Sequence, residues 1–212
     1  MRRQLFQEGR YMNYDLINEN DFKECADFHG HICPGLAIGY RAAKAGLAKL
    51  AESRAKDEEL VAIVETDACG VDAIQVLSGC TFGKGNFIYR DYGKHAFTFF
   101  SRKTGKGVRA ALKPGAIPHS DKQKEISDKI KEGKATDDEI KFLSEMRLDK
   151  TVSILDMPED DLFDFIDVQE KMPDKARLSP SVPCDKCREL TMVEKTEKVG
   201  GMTLCRGCVK MV

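Results

Sequence analysis

Two C-x-x-C pairs near the C-terminus are the strongest constraint on how this chain folds. Cys184 and Cys187 form the first pair, and Cys205 and Cys208 form the second after 17 intervening residues. A C-x-x-C turn directs two thiolates at one ion, and zinc in structural sites prefers four ligands in a tetrahedron. A segment of about 30 residues buries too little apolar surface to fold alone, so residues 184–212 are predicted to be a zinc finger.

The surroundings of these cysteines favour metal ligands over disulfides. The chain contains eight cysteines, and its N-terminus lacks the apolar run of a secretory signal. In a reducing cytoplasm, matched C-x-x-C pairs are typical of metal sites. The alternative is that these cysteines are free surface thiols or a redox pair. Neither explains why two C-x-x-C pairs occur at this spacing.

Charge and hydropathy limit the classes of partner. Lys and Arg number 34 and Asp and Glu number 35, which gives a net charge of −1. This balance gives no electrostatic reason to expect nucleic acid or an anionic membrane as a partner. No stretch approaches the roughly 18 apolar residues of a membrane helix. We therefore expect a cytoplasmic protein with no membrane partner.

The remainder of the chain mixes helical and strand patterns without a regular βαβ rhythm. This mixture predicts an α+β core with a mixed or antiparallel sheet and packed helices. The core is expected over residues 1–170, and the finger over residues 184–212. A linker is expected over residues 171–183, because Pro173 and Pro180 favour extended backbone.

Individual elements follow from periodicity, capping and turn signals. Cys33-Pro34-Gly35 predicts a helix start, because proline suits the first helical turn. Two later helices are expected where capping-box spacing occurs. The expected helices are one after Cys33 with an apolar stripe (Leu36, Tyr40, Ala43, Leu47 and Leu50), one over 71–77 stopped by Gly79, and two with capped starts at Ser120 with Gln123 and at Thr136 with Glu139. The expected strands are a buried one over 60–64, a pair over 86–91 and 96–102 around Tyr92-Gly93-Lys94, and two more over 107–112 and 162–168.

A second set of metal-ligating residue types occurs in the core. His29, His31 and Cys33 lie within five residues, and they would point to one side if this segment were extended. Cys69 lies between a predicted strand and a predicted helix, and Cys80 lies in the next connection. Imidazole and thiolate together suit zinc, nickel or iron, so these five residues are predicted ligands of a second transition metal.

Some of these residues are also expected to act in chemistry. His31, Cys33 and Cys69 are the candidate catalytic residues, because a helix N-terminus lowers the pKa of a nearby thiol. Asp67 and Lys84 are candidates for holding a cofactor or substrate. Asp72 and Gln75 flank Cys69 and are expected to orient metal ligands. The alternative is that the cysteines are small buried apolar residues and that Lys84 is solvated.

Four segments together resemble the E-subunit family of formylmethanofuran dehydrogenase. They are residues 28–39 (FHGHICPGLAIG), 65–75 (ETDACGVDAIQ), 79–86 (GCTFGKGN) and 91–94 (DYGK). The resemblance covers roughly residues 20–170. It implies an α+β core, a homodimer and a metal-dependent site near the His/Cys motif.

The resemblance also implies a functional context. Some members of the family carry a C-terminal treble-clef zinc finger, which the four C-terminal cysteines match. The family name implies association with the molybdenum or tungsten enzyme complex that reduces carbon dioxide onto methanofuran in methanogenesis. The sequence itself contains no molybdopterin site and no ferredoxin-type cysteine pattern.

Three hypotheses for function follow. The first is a metal-dependent oxidoreductase or one of its subunits. The second is an accessory or regulatory protein whose finger binds a partner protein or nucleic acid and whose core senses a metal or small molecule. The third is metal-free thiol chemistry, with Cys33 as the nucleophile and a nearby histidine as the base.

Overall fold

A computed structural model describes residues 12–118, 120–177 and 179–210. The chain divides into two compact units, Met1–Lys175 and Ala176–Val212. The boundary falls inside the segment expected to be a linker. Within the described residues, no helix combines the length and apolar character needed to cross a membrane.

The first unit contains helices α1 to α6 and strands β1 to β5. Its helices are α1 (Asn20–His29), α2 (Pro34–Leu50), α3 (Gly70–Ser78), α4 (Asp121–Lys131), α5 (Asp137–Asp156) and α6 (Glu159–Leu162). Its strands are β1 (Leu60–Val64), β2 (Phe87–Tyr89), β3 (Ala96–Ser101), β4 (Gly107–Leu112) and β5 (Phe163–Asp167). A short 3₁₀ helix over Tyr14–Asn18 precedes α1.

The five strands form one mixed sheet in the order β2-β1-β3-β4-β5. β1 and β2 are parallel, whereas the other neighbouring pairs are antiparallel. Helices α2 and α3 pack with the sheet around the main hydrophobic core. The predicted α+β architecture is therefore confirmed.

The predicted pairing of the strands around Tyr92-Gly93-Lys94 is wrong, because β1 lies between β2 and β3. Val64 is opposite both Tyr89 and Phe97. β1 is buried along its whole length, and a strand buried on both faces takes a central position in a sheet. The connecting loop passes the end of β1, where Arg90 N–H donates to Val64 O at 2.9 Å and Lys94 N–H donates to Glu65 O at 2.8 Å.

Helix α2 begins as the sequence predicts. Cys33 is its N-cap, with Sγ accepting from Leu36 N–H, and Pro34 occupies the first turn. All members of the expected apolar stripe are buried, namely Leu36, Tyr40, Ala43, Leu47 and Leu50. The helix is therefore fixed by its N-terminal cap and by burial of one face.

Two glycines allow α2 and α3 to approach closely. A Cβ atom on Gly39 of α2 would lie 1.9 Å from the carbonyl oxygen of Gly70, the first residue of α3. One turn earlier in α2, a Cβ on Gly35 would lie 3.2 Å from Cys69 Cβ. The small residues at these positions therefore bring the beginning of α3 against the first turns of α2.

Helices α4 and α5 are both capped as expected. Ser120 Oγ accepts from Gln123 N–H, and Thr136 and Glu139 form a reciprocal capping box. Glu139 also pairs with Lys129 of α4 at 2.7 Å, which links the two helices.

The second unit contains two strand pairs and a short helix. Its elements are β6 (Ser181–Pro183), β7 (Leu190–Met192), β8 (Thr196–Val199), β9 (Met202–Cys205) and α7 (Arg206–Val209). Both pairs, β6 with β7 and β8 with β9, are antiparallel. Gly200 and Gly201 form the turn of the second hairpin with φ values of 58° and 85°. A cysteine turn, a hairpin and a helix beginning at the second cysteine pair are the treble-clef order.

Replacing Gly39 with alanine should destabilise the first unit. Alanine favours a helix by about 1 kcal/mol over glycine, but overlap with the Gly70 carbonyl requires a backbone shift. We expect the free energy of unfolding to fall by at least about 1 kcal/mol in urea titrations followed by circular dichroism. Gly83→Ala is the control, because its Cβ would meet nothing within 4 Å. A Gly39→Ala protein as stable as the wild type would contradict the close packing of α2 and α3.

Candidate metal centres

Four donor side chains meet where α1, α2 and α3 converge. One ligand atom from each of His29, His31, Cys33 and Cys69 lies within 4.8 Å of the other three. The sequence predicted these residues as ligands, and the structure brings them together. Sulfur atoms of a tetrahedral zinc site lie about 3.8 Å apart, given zinc–sulfur bonds of about 2.3 Å, so small side-chain adjustments close the group around an ion.

Helix termini, rather than an extended segment, position these donors. His29 is the last residue of α1, and Gly30 ends that helix in the left-handed region with φ of 89°. Cys33 caps the N-terminus of α2, and Cys69 immediately precedes α3. A helix end and a sharp turn therefore give the convergence that an extended segment would also have given.

Asp72 fixes the orientation of His29. Its Oδ2 lies 2.7 Å from His29 Nδ1, and the His29 side chain is 11% exposed. A carboxylate that accepts the Nδ1 proton leaves Nε2 with a free lone pair, which is the arrangement that supports metal-ligating histidines. His29 Nε2 lies 3.9 Å from Cys33 Sγ, so that lone pair faces the other donors.

His31 is the most exposed of the four donors. Its ring lies against that of His29, with centroids 4.4 Å apart. His31 also lines the adjoining pocket together with Cys33 and Cys69. A donor held by a loop at the mouth of a pocket is the one that a water or substrate displaces most easily.

The Cys33 thiol differs electrostatically from the sequence prediction. Burial raises its pKa, and although the N–H groups of Leu36 and Gly35 lower it, the Cys69 thiol raises it further. The N-terminus of α2 therefore lowers this pKa as expected, but burial outweighs that effect and the net shift is upward. Cys33 is half-buried, and no cation is among the groups that shift its pKa most, which fits a metal ion as the partner of its thiolate and disfavours metal-free thiol catalysis.

Two other cysteines of the core lie outside this cluster. Cys25 and Cys80 are fully buried, and burial raises the pKa of both thiols, that of Cys25 to about 12. The backbone N–H of Cys80 donates to Ser78 Oγ at 3.1 Å. The structure therefore does not bring Cys80, a predicted ligand, to the other four residues.

The two predicted cofactor-binding residues occupy different positions. Lys84 Nζ donates to Gly79 O at 2.8 Å and to Lys56 O at 3.3 Å, so its ammonium group holds its own loop. Asp67 is exposed and lines a groove of about 320 Å³ with His29, Asp72 and Gln75. Asp67 thus lies beside the donor cluster, whereas Lys84 does not line this groove.

A pocket of about 1140 Å³ adjoins the other side of the donor cluster. Besides His31, Cys33 and Cys69, its lining includes His95 and three cationic residues of α4 and α5, namely Lys124, Arg147 and Lys150. The sequence gives no signal for these three cations, because charged residues on the exposed face of a helix do not indicate which pocket that face will line. His119, the last of the four histidines in the chain, lies outside the described residues.

The second unit gathers its four cysteines into a separate group. The sulfur atoms of Cys184, Cys187, Cys205 and Cys208 lie within 4.8 Å of one another, and those of Cys187 and Cys205 are 3.9 Å apart. Backbone N–H groups point at the sulfurs, with Cys205 N–H donating to Cys184 Sγ at 3.3 Å. These bonds lower the pKa of Cys184 to about 6, whereas burial raises that of Cys208 to about 12. The group could hold a metal ion with four thiolates.

Comparisons with known proteins agree with this architecture. A protein from Syntrophus aciditrophicus, described as similar to the E subunit (FmdE) of a tungsten formylmethanofuran dehydrogenase, has a crystal structure that aligns with a TM-score of 0.60 and 25% sequence identity. The alignment covers 99% of this chain and 97% of that one.

A curated relative from Archaeoglobus fulgidus is named a probable S-adenosyl-L-methionine-binding protein. It is 34% identical over 191 residues, which is 85% of this chain and 51% of the relative. The chain therefore spans about half the length of that relative.

A family model covers most of the first unit. The model described as "FmdE, Molybdenum formylmethanofuran dehydrogenase operon" matches residues 28–164. The matched segment includes all four donors of the core cluster, His29, His31, Cys33 and Cys69. This chain belongs to the FmdE family.

Proposed function

We propose that this protein binds two transition metal ions and acts as a metal-dependent component of the molybdenum or tungsten formylmethanofuran dehydrogenase system. The observation that carries the proposal is the core cluster, in which two imidazoles and two thiols converge within 4.8 Å. Thiols and imidazoles gain little from such convergence without an ion, whereas a bound ion would pair with all four donors at once. The family membership supports the association with the dehydrogenase.

The core residues fit zinc, nickel or iron, which accept mixed nitrogen and sulfur ligands. Such an ion supplies Lewis-acid or redox chemistry when bound. His29, Cys33 and Cys69 are held by helix termini and by Asp72, so they form the fixed part of the site. The exposed His31 would hold the ion less firmly than the other three donors, because it lies in a loop that lines the pocket.

The second ion is zinc with a structural role. The four cysteines of the finger leave no open coordination position in a tetrahedral site. The unit that they close, Ala176–Val212, has a small apolar cluster in which two ligands, Cys184 and Cys208, pack with Leu204. We propose that zinc provides most of the stability of this unit, and that the unit contacts the partner enzyme. A homodimer also remains a prediction.

A second candidate function is small-molecule sensing by the core, with S-adenosylmethionine as the ligand. The name of the Archaeoglobus relative suggests this ligand, and the smaller groove offers a specific reason. Asp67 and Asp72 line it together with the exposed rings of Phe82 and Tyr89. Carboxylates and aromatic faces both attract a sulfonium cation.

The metal content of the anaerobically purified protein tests the primary proposal. We expect two equivalents of transition metal by mass spectrometry, one of which is lost in the Cys33→Ser/Cys69→Ser protein and the other in the Cys205→Ser/Cys208→Ser protein. Cys80→Ala is the matched control and should retain both, because Cys80 lies outside the cluster. Full retention of metal after loss of Cys33 and Cys69 would refute the core centre.

Asp72→Asn should weaken metal binding at the core without removing a ligand. Loss of the carboxylate that orients a ligating histidine typically lowers metal affinity by about 10- to 100-fold. The measurement is competition against a chromophoric chelator, with the finger ion as an internal reference. Asp67→Asn removes the same charge beside the site and should change the affinity less than about threefold, because no hydrogen bond ties Asp67 to a predicted ligand.

Calorimetric titration with S-adenosylmethionine and S-adenosylhomocysteine tests the second candidate. If the smaller groove binds the sulfonium, the first compound should bind at least about tenfold more tightly, and Asp67→Asn should reduce that preference. Equal affinity for both compounds, or no binding, would exclude this candidate and leave the metal-dependent function intact.

A further inference from the structure

The large pocket beside the core cluster combines three kinds of surface. Metal-ligand candidates form one part of its lining, and helices α4 and α5 form another. Apolar side chains also face it. They are Ile32, Ile38, Leu112, Ile117, Ile130, Ile140, Leu143 and Leu148. A cavity of about 1140 Å³ with this lining is large enough for an organic molecule that reaches the metal site.

The charged groups in the pocket all have one sign. Lys124, Arg147 and Lys150 line it, and no carboxylate of the described residues does. The pocket therefore has a positive field on the side formed by α4 and α5.

This charge is not neutralised as it is elsewhere on the same helices. Lys129 pairs with Glu125 and Glu139, and Lys131 pairs with Asp128. Among the described residues, the Arg147 guanidinium has no ion-pair partner. The pocket side of the helix pair is thus left with unmatched cations.

Lys150 and Lys124 differ in their surroundings. Lys150 Nζ donates to Pro118 O at 2.9 Å, and burial lowers its pKa with no carboxylate to oppose the shift. Lys124 lies near Asp128, whose carboxylate already accepts from Lys131. Both ammonium groups therefore retain capacity for an external anion.

We propose that this pocket binds an organic carboxylate with an apolar chain, and that this molecule is the substrate class of the neighbouring metal centre. The inference rests on the proposed metal-dependent function. Arg147 presents a planar fork that pairs with a carboxylate through two hydrogen bonds, and the two lysines add charge. The apolar chain lies against residues such as Ile38 and Leu143, which are buried beneath the pocket.

The assignment differs from the one that the sequence suggested. Lys84 was a candidate for holding a cofactor or substrate, but its ammonium group donates to the carbonyl oxygens of Gly79 and Lys56. We therefore assign anion binding to α4 and α5, which line the same pocket as His31, Cys33 and Cys69.

Octanoate and 1-octanol provide a matched pair of probes, because they share an apolar chain and differ in charge. The full-length, zinc-reconstituted protein with labelled isoleucine methyl groups is titrated with each probe and followed by NMR. We expect octanoate to shift the methyl signals of Ile32, Ile38 and Ile117, with those of Ile63 and Ile166 unchanged. The dissociation constant for octanoate should be at least about tenfold lower than that for octanol.

Two double variants isolate the charge. Lys124→Gln/Arg147→Gln should abolish the preference for octanoate. Lys131→Gln/Lys134→Gln removes the same charge from α4 and its C-terminal turn, away from the pocket lining, and should retain the preference. The folded state of each protein is checked by its unaffected methyl signals.

The outcomes separate this inference from the proposed function. Equal affinity for the two probes, shifts outside the pocket, or an unchanged preference in Lys124→Gln/Arg147→Gln would overturn the carboxylate assignment. The metal content of the same samples is measured independently. A full core metal content with no octanoate preference overturns the inference alone, whereas an absent core metal overturns the proposed function whatever octanoate does.

Discussion

The contact between Gly39 of α2 and Gly70 of α3 determines the geometry of the core donor cluster. A side chain at Gly39 would overlap the Gly70 carbonyl, so the two helices approach at backbone distance. Because Cys33 precedes α2 and Cys69 precedes α3, this crossing brings both thiols to one place. Asp72, in the first turn of α3, then reaches His29. One helix packing contact thus positions two sulfur ligands and the carboxylate that orients an imidazole.

The two metal centres differ in what surrounds their donors. The finger cysteines belong to a short unit and receive backbone N–H bonds, which is how a closed thiolate site stabilises its charge. The core donors lie between an acidic, aromatic groove and a cationic pocket, and one of them, His31, is exposed. This asymmetry is consistent with our proposal of a structural ion in the finger and a chemically active ion in the core.

Features set by local sequence could be predicted, and those set by tertiary packing could not. The start of α2, its buried stripe and the capping box at Thr136 depend on neighbouring residues. The strand order depends on tertiary packing, which buries β1 on both faces and places it between β2 and β3. The direct pairing of the two strands that flank Gly93 was therefore predicted wrongly. The same distinction applies to the site.

Within the site, residue type and spacing indicated all four core donors and Asp72. They did not exclude Cys80, because a thiol that packs as a small apolar group has the same sequence signature as a ligand. They also made Lys84 a candidate for holding a cofactor or substrate, since only the folded structure shows that its ammonium group bonds to backbone carbonyls. Burial, which overrides the helix N-terminus at Cys33, is likewise invisible in the sequence.

Anomalous diffraction from crystals of the anaerobically prepared protein tests the central claim most directly. Data collected above and below the absorption edges of zinc, nickel and iron locate each ion and identify its element. The account predicts one peak coordinated by His29, Cys33 and Cys69 and a separate peak among the four finger cysteines. A core with no peak at that position, or with a peak bound by other residues, would contradict it.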